Sequence, residues 1–159
     1  MRRIDELLSE YGESHRNETN KAIHWICVPL IFFSVIGLIA SIPSDFVQSL
    51  LGKGNPYANW ATVILVLVLV YYVTLSLSLA LGMMLFSALC LYAANVIVKL
   101  DFAPLWLVSV GIFVFAWIAQ FFGHKIEGKK PSFFKDIQFL LIGPAWLMHF
   151  IYKRIGIPY

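Results

Sequence analysis

The chain has 159 residues, of which 60% are hydrophobic and 13% charged, whereas an ordinary soluble domain carries about 25% charged residues. That composition argues against a soluble protein and for one that lives in a bilayer. The net charge of +3, from 12 basic and 9 acidic residues, is confined to short segments between apolar runs and forms no basic stripe of the kind that binds nucleic acid.

No Ser/Gly-rich linker, charge run or internal repeat divides the sequence, so residues 1–159 read as a single integral membrane domain. At the amino end, Ile4, Leu7, Leu8 and Tyr11 recur at helical spacing while Asp5, Glu6, Ser9 and Glu13 take the other face. This pattern predicts an amphipathic helix that lies on the membrane or covers the ends of the spans. Four acidic residues, Asp5, Glu6, Glu10 and Glu13, follow Arg2 and Arg3 before any apolar stretch. A cleaved signal peptide has the opposite order, so the first span is expected to remain as an anchor.

Residues 22–43 are apolar apart from His24, Ser34 and Ser41, long enough as a helix to cross a hydrocarbon core of about 30 Å. Residues 61–98 carry no charge over 38 positions, and one helix of that length would reach about 57 Å. They are expected to fold as a hairpin of two spans that turns within residues 76–82, where the serines and a glycine lie. Asn95, Tyr71 and Tyr72 in this run suit helix packing. A fourth span is predicted over residues 103–122. The last apolar stretch, residues 137–152, is shorter and contains Gly143-Pro144, which suits a re-entrant or interfacial helix. The expected fold class is therefore all-α: a polytopic membrane helix bundle with about four transmembrane spans, an N-terminal amphipathic helix and a C-terminal re-entrant or interfacial helix. Cys27 and Cys90 fall inside apolar runs with no CxxC spacing, as structural thiols do.

Basic residues orient the bundle, because lysine- and arginine-rich loops stay on the cytoplasmic side. With four crossings, Arg2, Arg3, Arg16, Lys21, Lys125, Lys129, Lys130, Lys135, Lys153 and Arg154 share one side, and only Lys53 and Lys99 fall on the other. Both termini are thus expected in the cytoplasm. Trp25, Trp60 and Trp106 sit near span ends, at headgroup level.

The same topology brings all four histidines, His15, His24, His124 and His149, to the cytoplasmic face, from separate parts of the chain. Around them lies a polar set, Asn17, Asn20, Gln120 and Glu127. Polar and ionisable groups at membrane depth are costly, which makes this cluster the candidate site. Gln120, His124 and Glu127 are four and three residues apart and share one helix face. His15 and His24, nine apart, would oppose each other on a straight helix. Both can ligate one ion only if the chain bends between them, and Asn17, Thr19 and Asn20 supply break and N-cap chemistry for that bend. Histidines with one carboxylate and no thiolate suit a borderline divalent metal: iron as in the two-His, one-carboxylate oxygenases, zinc or manganese. The sequence contains neither HExxH nor GxSxG, so a zinc protease and a nucleophile-elbow hydrolase are not supported.

At these residues the chain resembles the 2-hydroxy fatty acid dioxygenase family, membrane enzymes of phytosphingosine breakdown that shorten a 2-hydroxy acid by one carbon. The resemblance covers nearly the whole chain. It rests on a first motif of Tyr11, His15, Asn17, Asn20, His24 and Pro29, and a second of Gln120, Gly123, His124, Glu127 and Pro131, followed by Gly143-Pro144. It implies Fe2+ as cofactor, a long-chain 2-hydroxy fatty acid and O2 as substrates, and α-oxidation with loss of CO2. On that reading His15, His24, His124 and His149 are the metal candidates. Glu127, Asn17, Asn20 and Gln120 form the catalytic set, and Lys125, Lys129 and Lys130 attract the substrate carboxylate. The alternative is a non-catalytic membrane protein, lipid-binding or an assembly factor, in which the same polar cluster is structural.

Overall fold

The structure is a computed structural model that describes residues 2–128 and 133–159, with only the backbone described for residues 133–138. Among the described residues it is all-helical: α1 (Arg3–Gly12), α2 (Glu18–Ala40), α3 (Asp45–Leu51), α4 (Trp60–Leu75), α5 (Leu77–Leu100), α6 (Leu105–Glu127) and α7 (Phe133–Ile155). Three of these, α2, α5 and α6, are long and apolar enough to cross a membrane. The predicted hairpin over residues 61–98 breaks at Ser76, the first position of the expected window, where the backbone is extended and the side-chain oxygen accepts from Leu79 N. This early break leaves α4 with 16 residues, a reach of about 24 Å, short of a full hydrocarbon core. α4 and α5 pack against each other as a pair.

α2 is the axis of the bundle and packs against α4, α5, α6 and α7. Its most extensive partner is α6, which runs antiparallel to it. The two approach closely at both ends through small residues: Gly37 meets Ser109 at one end, and Gly123 meets Asn20 at the other. At either glycine a Cβ would collide with the facing side chain, so the small residue sets the interhelical distance, as in other membrane helix pairs. Cys27, Ile31 and Ala116 fill the seam between these contacts.

The predicted stripe of α1, Ile4, Leu7, Leu8 and Tyr11, is buried against Ile142, Trp146 and Leu147 of α7 and Val28 of α2. That face is covered by protein and is not available to lipid. α7 runs 23 residues, longer than the predicted 137–152 segment, with Pro144 inside it. Two tyrosines tie α7 to the hairpin: Tyr72 Oη donates to Leu141 O at 2.5 Å, and Tyr152 Oη to Ser78 O at 2.7 Å. The short helix α3 has no counterpart in the sequence reading. Outward-facing positions remain strongly apolar, with Leu85 70% and Phe122 64% exposed, a surface suited to lipid.

Candidate metal centre

His15 lies in the short connection between α1 and α2, His24 on the second turn of α2, and His124 on the last turn of α6. The connection works because Asn17 is extended and its side chain caps α2, accepting from Thr19 N at 2.9 Å and Asn20 N at 3.2 Å. That cap supplies the bend the nine-residue spacing requires, and His15 turns back onto the first turns of α2. The His15 and His24 rings have centroids 4.2 Å apart, and His124 lies 5.4 Å from His15 and 4.9 Å from His24. Each of the three offers one ligand atom, and these atoms all lie within 4.8 Å of one another. His15 and His24 are buried and His124 is half-buried.

The backbone sets the ring chemistry. His15 Nδ1 is 2.6 Å from Tyr11 O and His24 Nδ1 is 2.8 Å from Asn20 O. A carbonyl oxygen only accepts, so each Nδ1 carries a proton, and Nε2 is the ring atom left to ligate. Metal-bound histidines are held in the same way, by a hydrogen bond from the far ring nitrogen that fixes tautomer and orientation. The Tyr11 ring stacks on His15 at 4.3 Å with 14° between planes, and Trp146 lies 5.4 Å from it. These rings stop His15 from swinging away. Imidazoles clustered with no thiolate among them suit a borderline divalent cation, so the residues present fit such an ion.

Glu127 is half-buried on the last residue of α6, capped by Gly128 in the left-handed region at φ 73°. Its Oε1 accepts from Arg16 N at 3.0 Å; Oε2 accepts from Asn17 N at 2.9 Å and from Asn20 Nδ2 at 3.1 Å. The carboxylate thus stands beside the cluster and belongs to a hydrogen-bond network, not to the set of convergent ligand atoms. Asn20 is fully buried and also donates from Nδ2 to Ser14 O at 3.1 Å. Gln120 is buried one turn before His124. Lys125 is exposed next to His124, and Lys129 and Lys130 lie outside the described residues.

His149 does not join the other three. Its ring rests against Phe150 and Tyr159, because the side chain that α7 presents to His15 is Trp146, one turn earlier. Burial, and then Lys153 nearby, holds the His149 imidazole below the ordinary histidine range, with Asp5 opposing. Trp146 and Ser14 are contacts that sequence reasoning misses. Trp146 meets His15 from another helix, and Ser14 meets Asn20 through the turn of the α1–α2 connection; no periodicity within one segment reports either.

Fold and site together define a helical membrane protein with a three-histidine cluster that could hold a metal ion. The chain belongs to the 2-hydroxy-palmitic acid dioxygenase Mpo1-like family, which it matches over residues 1–155. No curated protein and no solved structure matches it.

Proposed function

We propose that the protein is an Fe(II)-dependent dioxygenase that converts a long-chain 2-hydroxy fatty acid to the acid one carbon shorter. The observation that carries this reading is the convergence of His15, His24 and His124 within 4.8 Å in a chain of this family. Three imidazoles bring no negative charge to a bound cation, so the site favours an anionic chelating partner such as a 2-hydroxy acid over a neutral lipid. Held by these rings, Fe2+ would supply open positions for the hydroxyl and carboxylate of the substrate and for O2. The stoichiometry closes without an outside reductant. The C1–C2 bond breaks, C1 leaves as CO2, C2 becomes the new carboxyl, and O2 takes up the four electrons, appearing in the products together with one water.

The chain's own residues have separable parts in this reading. Tyr11 O and Asn20 O hold the His15 and His24 rings in the ligating tautomer. Gln120, buried beside His124, is the polar group placed to meet the substrate's head. Lys125, with Lys129 and Lys130 close to it in the sequence, supplies positive charge that attracts the carboxylate, and the alkyl tail lies along the apolar helices at the cytoplasmic membrane face. Incubation of detergent-purified, iron-loaded protein with 2-hydroxypalmitate under air should yield pentadecanoate by mass spectrometry. No shortened acid from 2-hydroxy acids of any chain length would leave the lipid-binding or assembly reading standing instead.

A further inference from the structure

The carboxylate of Glu127 occupies a point from which all three histidine-bearing segments are reached. Its three donors are two backbone N–H groups, on Arg16 and Asn17, and the side-chain amide of Asn20. Arg16 directly follows His15. Asn20 provides the carbonyl that orients His24, and its side chain lies over Gly123, where no Cβ can fit. His124 is three residues before Glu127, on the same face of α6. Both carboxylate oxygens accept N–H groups, and neither belongs to the convergent ligand atoms.

We infer that Glu127 is a positioning residue: its carboxylate latches the α1–α2 connection to the end of α6 and so holds His15, His24 and His124 in register before any ion arrives. This rests on the metal-binding reading above, which assigns no such role. An ionised carboxylate suits the task because it is acceptor-only, and the three facing groups are all donors. Bonds from backbone N–H to a charged acceptor are also among the stronger hydrogen bonds. Glutamine has nearly the same shape but would turn an NH2 toward at least one of these donors, so it should not substitute.

The test uses the full chain, metal-free, in detergent. Co2+ is titrated while its d–d absorption is followed in wild type, Glu127→Ala, Glu127→Gln and, as a control at the same helix start, Glu18→Ala, whose side chain pairs with Lys21. Both Glu127 variants should weaken Co2+ binding by about 10–100-fold, the usual loss when a group supporting a ligand is removed. At saturation they should keep the band positions and intensity of wild type, because the ligands are unchanged. Glu18→Ala should bind as wild type does. In parallel, hydrogen–deuterium exchange of the metal-free protein should show the segment 14–20 exchanging faster in both Glu127 variants. Wild-type affinity in those variants, a saturated spectrum altered as if a donor atom had been lost, or unchanged exchange at 14–20 would each overturn the latch. Wild type that binds no Co2+ would overturn the metal reading, while the exchange measurement would still decide whether Glu127 is a latch.

Discussion

Two of the three cluster histidines are held by a contact their own neighbourhood in the chain supplies, His15 through Tyr11 O and His24 through Asn20 O, both four residues back. The gathering of three histidines was legible in the sequence, because topology alone put them at one depth. Which histidines touch was not legible: depth is one coordinate of three, and His149, expected at the same face, lies against Tyr159. Glu127 was similarly half legible, since helical spacing gives its face but not the Arg16, Asn17 and Asn20 donors that meet it. His149 makes a separate prediction. Its folded-state affinity for a proton is lowered from the ordinary value of 6.5, so the unfolded chain binds the proton more readily. The sign follows: stability is unaffected well above pH 6.5 and declines as pH falls below it. The groups facing His149 are Lys153 on α7, Asp5 on α1 and the Tyr159 ring. Thermal melts of His149→Leu across pH 5–8 should lose part of that acid-side decline relative to wild type. An identical pH dependence in the two proteins would contradict this assignment.

Among the elements, the break and cap within residues 17–20, the stripe on α1 and the apolar runs were readable because they depend on local chemistry, though the cap falls at Asn17 and not at Thr19 or Asn20. The short α3 was not; the hairpin break was readable as a window, residues 76–82, but not as Ser76 itself, since several serines and Gly82 offered equivalent breakers. The α2–α6 pair depends on close approach at Gly123, where a Cβ would run into Asn20 Oδ1. Gly123→Ala should therefore push the two helices apart at the histidine end, at a cost of about 1–3 kcal/mol, as for other overpacked cores. Thermal unfolding in detergent would register this as a lowered Tm, with Gly111→Ala, which has open space, as the neutral comparison. Equal melting temperatures for the two variants would mean that α6 does not bear on Asn20.

At the scale of the whole molecule, the histidine cluster and Lys125 lie at one end of the bundle. Lys53 follows α3, and Lys99 sits in the last turn of α5 at the other end. The basic-residue count then predicts that the cluster faces the cytoplasm. With the two buried native cysteines, Cys27 and Cys90, replaced, single cysteines next to Lys53 and Lys99 should react with an impermeant maleimide from outside the cell. One next to Lys125 should react only after permeabilisation, and the reverse pattern would place the site on the outer face.

If three imidazoles from three segments hold one ion, elemental analysis of purified protein will show it. Wild type should carry about one iron per chain when loaded. His15→Ala, His24→Ala and His124→Ala should each lose most of it, since an incomplete coordination sphere cannot retain the ion, while His149→Ala keeps it. Folded variants at all three cluster positions that hold iron as wild type does would contradict the account.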